Sequence, residues 1–129
     1  MEKNILVIDN DSLLIDDLLM VLNVLRCCVK TADTGFKGIK MLIEEHFDLV
    51  IIDLFASGFD GREVANHIRM NRKNGSPIIV GISDDLNLIE GSGFDRIFTY
   101  PLSTNDLVEI QKYVTDAAAV NVKQKWAFL

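Results

Sequence analysis

Residues Leu49-Val50-Ile51-Ile52 form an unbroken apolar run that stops on a carboxylate, Asp53. Bounded by turn residues, such a run reads as a strand buried on both faces. A strand of that kind needs a layer above it and a layer below it, which confines the chain to a covered sheet. The pattern recurs. Residues 4–9 run through Ile5-Leu6-Val7-Ile8 to Asp9, and residues 78–82 lead to Ser83-Asp84-Asp85. Weaker strand patterns occupy residues 27–32 and 94–99, the last ending at Tyr100-Pro101.

Helical periodicity fills the gaps. After Asn10, Asp11 and Ser12 a helix is expected to about residue 26, with Leu14, Leu18, Val21, Leu22 and Leu25 inward. Leu13, Met20 and Val24 make a second stripe, for a neighbouring helix or a docking partner to cover. Helices are also expected over 36–45, with Ile39, Leu42 and Ile43 inward, and over 62–72, with Val64, Ala65 and Ile68 inward. Asp60 is a candidate cap for the second of these. His46 and His67 read as helix-end and surface residues. Residues 86–90 leave room for a short helix only, and Ser103 or Thr104 caps a last helix over 105–119. Strands and helices therefore alternate five times, the pattern of a parallel α/β sheet covered on both faces.

At 129 residues this is one domain by length, with residues 119–129, including Trp126 and Phe128, as a helical extension or tail. The net charge of −6 argues against nucleic-acid binding by the domain, which needs clustered Lys and Arg. Cys27 and Cys28 are adjacent, so on a strand they point to opposite faces and do not pair. That fits a reduced, cytoplasmic protein. No signal peptide or membrane span is expected, since the apolar stretches are short.

Four of the strands end in polar side chains: Asp9, Asp53, Ser83 and Tyr100. In a parallel sheet those ends share one edge, where open α/β sheets bind their ligands. Asp53 alone could be a loop cap. With Asp9 beside it, two carboxylates, a backbone carbonyl and waters suit octahedral Mg2+. A carboxylate is also a nucleophile toward a phosphoryl group, giving an acyl phosphate. A hydroxyl such as that of Ser83 can hydrogen-bond a phosphoryl oxygen.

The motifs at residues 5–11, 48–54, Asp60-Gly61, Ser83 and Pro101, in that order and spacing, resemble the receiver domain of bacterial response regulators over residues 1–118. The resemblance implies a flavodoxin-like (CheY-like) three-layer sandwich with a five-stranded parallel sheet of order 2-1-3-4-5. It implies a phosphorelay role, with Asp53 accepting a phosphoryl group from a histidine kinase or phosphotransfer protein. Asp9, Asp53 and the backbone carbonyl of Phe55 would hold Mg2+, and Ser83 would be the hydroxyl switch. A homodimer stays open, and nothing in the pattern implies an enzyme.

Several positions depart from that family. Asn10 replaces the second acidic residue after the first strand, which removes a charge and weakens Mg2+ binding. Tyr100 stands where the family carries a Lys before a cis-proline. A phenol with a pKa of about 10 carries no positive charge at neutral pH. Lys30 and Lys112 offer no replacement by position, which leaves Arg62 as the nearby cation. Ile97 takes the place of an aromatic switch, and Asp84 that of a small residue. The stretch from Ser83 to Gly93 is shorter than in the family, so the fourth helix is expected to be shortened. These departures keep a second reading alive, a pseudo-receiver that binds partners without phosphate. A phosphatase of haloacid-dehalogenase type would need an Asp where Phe55 stands, and a flavin site would need a neutral phosphate-cradling loop where Asn10-Asp11-Ser12 stands.

Overall fold

The computed structural model describes residues 2–56, 58–71, 75–85 and 93–115. The strands are β1 (Lys3–Ile8), β2 (Cys27–Ala32), β3 (Leu49–Asp53), β4 (Ile78–Ser83) and β5 (Arg96–Thr99). Among the described residues the helices are α1 (Ser12–Leu22), α2 (Gly35–Glu44), α3 (Gly61–Met70) and α4 (Thr104–Thr115). All neighbouring strands are parallel, in the order β2-β1-β3-β4-β5. This is the sheet that the alternation and the resemblance imply. The stretch expected to hold the shortened fourth helix, 86–92, and the tail with Trp126 and Phe128 lie outside the described residues.

The apolar runs feed two cores by their period of two. Ile5, Val7, Leu49, Ile51, Val80 and Ile82 point to one face, where α1 and α4 cover them with Leu14, Leu18, Leu22, Ile110 and Val114. Leu6, Ile8, Val50, Ile52 and Ile79 point to the other, under Val64, Ala65 and Ile68 of α3 and the half-buried Ile39 and Leu42 of α2. Every residue of β3 and β4 is buried. Phe47, between α2 and β3, joins the second core at 2% exposure. Each helix starts on a side-chain cap. Asp11, Thr34 and Asp60 accept backbone N–H groups of α1, α2 and α3. Ser103 caps α4 through reciprocal bonds with Asp106, at 3.0 and 2.9 Å.

Two expectations on the helices change, and one left open is narrowed. α1 stops at Leu22, four residues early, with Asn23 as its C-cap. The chain then tightens toward β2 through Leu25 N–H to the Leu22 carbonyl at 3.0 Å, and Val21 and Leu25 reach the core only in part. The stripe of Leu13, Met20 and Val24 is 67–75% exposed, so no described helix covers it. Ile43 is also exposed, at 70%. It sits about 100° around α2 from Leu42, and Leu42 with Ile39 already fills the inward arc.

β5 begins at Arg96 and not at residue 94, and Asp95 just before it anchors the strand's start. Its carboxylate accepts the Ile79 N–H at 2.8 Å and pairs with Arg69 of α3 at 2.7 Å. The same guanidinium donates to the Gly93 and Pro77 carbonyls, both at 3.0 Å, and to the Ser76 hydroxyl. Arg69 thus ties α3 to the starts of β4 and β5. Replacing it by Ala removes the cation paired with the half-buried Asp95 carboxylate. Urea denaturation of Arg69→Ala is expected to show a loss of about 2–3 kcal/mol. An unchanged midpoint would contradict this role.

Candidate functional site

The register of β1 on β3 pairs Ile8 with Ile52. Asp9 and Asp53 each follow one residue later, so two adjacent strands deliver carboxylates side by side. Each is 1% exposed. Each has one oxygen tied to a backbone N–H two residues on, Asp9 Oδ1 to Asp11 and Asp53 Oδ1 to Phe55, both at 2.8 Å. The other oxygen of each, Oδ2, is buried without a hydrogen-bond partner.

Buried carboxylates so placed need a proton or a cation. Burial, then the adjacent Asp53 carboxyl, pushes Asp9 up to about 8, against the smaller opposing pull of the Asp11 N–H. An acidic edge with bare carboxylate oxygen fits a divalent cation. Among the described residues no cluster of three or more His, Cys, Asp or Glu side chains could hold a metal. The rest of a ligand sphere would therefore come from backbone oxygen and water, a donor set that suits Mg2+ and not Zn2+.

Ser83 and Tyr100 reach the same edge by the same logic. Asp53 pairs with Ile82, and Ser83, one step on, pairs with Thr99. Ser83 is 3% exposed, and its Oγ accepts the Asp85 N–H at 3.0 Å. Tyr100 N–H donates to the Ser83 carbonyl at 2.7 Å, and the Tyr100–Pro101 peptide is cis. The Tyr100 ring is half-buried and lies 5.3 Å from the Phe55 ring, tilted by 44°. That contact is the feature sequence reasoning missed, since nothing in a linear pattern pairs positions 55 and 100.

Among the described residues, the cations considered for this edge lie elsewhere or on the surface. Lys30 is held by Glu45 at 2.8 Å. Lys112 is exposed in the last turn of α4. Arg62 is exposed in the first turn of α3, where its N–H donates to Asp60. Asn10 and Asp84 are exposed on the loops that flank the site. Gly61 has a use that its turn pattern did not reveal. A Cβ there would lie 2.6 Å from Leu54 Cδ2 and 3.2 Å from the Asp53 carbonyl, so only glycine lets α3 start this close to β3. His46 and His67 border a cavity of about 270 Å3 between the C-terminal ends of α2 and α3. Those helix ends lie at the opposite edge of the sheet, away from the carboxylates.

The raised Asp9 group gives a pH dependence with a definite sign. The folded protein holds a proton that the unfolded chain releases above its ordinary value of 3.8. The stability so contributed is complete below that value and is lost as pH rises toward about 8. Thermal melts in metal-free buffer should show a falling melting temperature from about pH 5 to about pH 8, and Asp9→Asn should flatten that slope. Mg2+ should raise the melting temperature most at the alkaline end, where it competes with no proton. A flat metal-free profile in the unsubstituted protein would contradict the assignment.

Known proteins resemble this chain in sequence and in fold. ResD of Bacillus subtilis (strain 168), a transcriptional regulatory protein, is 31% identical over 111 residues, which cover 83% of this chain and 45% of ResD. The chain thus spans less than half the length of that curated relative. The signal receiver domain of an HD domain-containing protein from Pseudomonas fluorescens Pf-5 superposes with a TM-score of 0.79 at 16% identity, over 95% of this chain and 93% of that one. The response regulator TrrA from Thermotoga maritima, solved in complex with Mg2+ and BeF, has a TM-score of 0.74 at 25% identity, over 87% of this chain and 98% of that one. The model of the response regulator receiver domain matches residues 5–117. By sequence and fold, this chain belongs to the receiver domain family of two-component response regulators.

Proposed function

We propose that this receiver domain accepts a phosphoryl group on Asp53 from a histidine kinase or a histidine-containing phosphotransfer protein. One observation carries the reading: Asp53 is buried beside Asp9 with Oδ1 held by the Phe55 N–H and Oδ2 bare. Oδ2 is then the attacking atom. The P–N bond of the donor's phosphohistidine breaks as the Oδ2–P bond forms, and the imidazole leaves with a proton taken from solvent. Such a transfer needs in-line placing and charge neutralisation more than covalent help. Asp9, Asp53 and the Phe55 carbonyl would hold Mg2+, which would neutralise charge on the phosphoryl oxygens. Asn10 would sit at the outer side of that site. Ser83 Oγ already accepts the Asp85 N–H, so its own proton is left to donate to a phosphoryl oxygen. Tyr100 adds no charge. The phosphorylated form would shift the domain between two conformations for an output partner or a second copy. A cytoplasmic setting, a receiver unit to residue 118 and a separate tail from 119 complete the reading.

Treatment with Mg2+ and acetyl phosphate should add the mass of one phosphoryl group, and Asp53→Asn should abolish the gain. No gain with any donor, or a gain that survives Asp53→Asn, would contradict the reading. Asn10→Asp restores the charge of an acidic pair, so calorimetry should show Mg2+ binding about tenfold tighter. The second reading, a phosphate-independent pseudo-receiver, is favoured by Tyr100, whose packed ring supplies no cation. A partner bound equally by the unsubstituted protein and Asp53→Ala would support it.

A further inference from the structure

β3 and β5 are not neighbours, because β4 lies between them. Yet Phe55, two residues past β3, and Tyr100, the residue after β5, bring their ring centroids to 5.3 Å. The pair therefore bridges the carboxyl end of β4, where Ser83 sits. Tyr100 is a firm anchor for this bridge. Its N–H is bonded to the Ser83 carbonyl at 2.7 Å and its ring packs on the core under α1 and α4. Phe55 is the residue whose position matters. Its N–H holds Asp53 Oδ1 at 2.8 Å. The residue before it is tied by Leu54 N–H to the Ile82 carbonyl at 2.7 Å, and the Phe55 ring packs on the same core as Tyr100, so the ring contact is a further anchor on the same loop.

We infer that Tyr100 is a positioning residue: its ring holds Phe55 so that the Phe55 N–H fixes Asp53 Oδ1 and leaves Oδ2 as the reacting oxygen. It acts through the aromatic contact and not through its hydroxyl or any charge. The inference builds on the phospho-acceptor reading, and it has a consequence opposite to simple analogy. Giving the chain the Lys that its family carries at this place should weaken the site, because an alkyl ammonium does not replace the ring against Phe55.

The test uses the full chain with Tyr100→Phe, Tyr100→Lys, Tyr100→Ala and Phe55→Ala, each first checked for cooperative melting. Amide NMR of the metal-free protein reads the Phe55 N–H directly. Its hydrogen-bonded shift and slow exchange should be lost in Tyr100→Ala and Tyr100→Lys and kept in Tyr100→Phe, while the Leu54 amide stays unchanged in all. Affinity for beryllofluoride with Mg2+, a phosphoryl mimic, should fall about fivefold in the Ala and Lys variants, the size of one aromatic pair contact. Tyr100→Phe should restore it, and combining Tyr100→Ala with Phe55→Ala should cost no more than either alone. Tighter binding by Tyr100→Lys than by the unsubstituted protein overturns the inference and leaves the phospho-acceptor reading standing. A Tyr100→Phe variant as weak as Tyr100→Ala also overturns it. An unsubstituted protein that takes no beryllofluoride overturns the phospho-acceptor reading instead, and the Phe55 amide then decides alone whether Tyr100 holds the loop.

Discussion

The parallel register of β1 on β3 is the constraint on which the site depends. Ile8 faces Ile52, so Asp9 and Asp53 leave adjacent strands at the same height. A slip of one residue would send each side chain to the other face and exchange the two cores. The register resists such a slip because both strands are buried on both faces, with alternate residues committed to separate clusters. Helix caps and the Arg69 hub fix the ends of the remaining elements, but the carboxylate pair is set by this register alone.

That placement has an electrostatic consequence. Two carboxyl groups share a buried edge with one backbone N–H each, and one oxygen of each stays bare. In the absence of a cation, burial and the neighbouring Asp53 carboxyl favour the protonated form of Asp9. The surrounding chain brings aromatic area toward this edge in place of charge: Phe55 and Tyr100 meet over β4, while Lys30 is occupied by Glu45. A phosphoryl group here would rely on metal, backbone and hydroxyl contacts, and the rigidity of the loop after β3 becomes correspondingly more important.

Much of this was legible in the residue order. Apolar runs with abrupt carboxylate ends locate β1 and β3, and the rule that parallel strands share one carboxyl edge gathers Asp9, Asp53 and Ser83. The exposed faces were harder. α1 keeps its apolar spacing past Leu22, yet Asn23 caps it, because the chain must turn into β2. Ile43 satisfies a helical period as well as Leu42 does, and only the packing of α2 decides which is covered. The Asp95–Arg69 pair joins residues 26 apart, and the Phe55–Tyr100 pair residues still further apart, with no local pattern to announce either. Phe47, which no strand or helix period includes, is part of the core. Period and turn chemistry record local geometry; contacts across elements depend on how the layers pack.

The central claim is that the buried carboxylates form one cation-dependent site that binds a phosphoryl group at Asp53. Fluorine NMR of the protein with beryllofluoride and Mg2+ tests it most directly. The account predicts a set of protein-bound fluoride resonances that requires Mg2+ and is absent from both Asp53→Asn and Asp9→Asn at neutral pH. No bound resonances in the unsubstituted protein, or resonances that persist in Asp53→Asn, would contradict it.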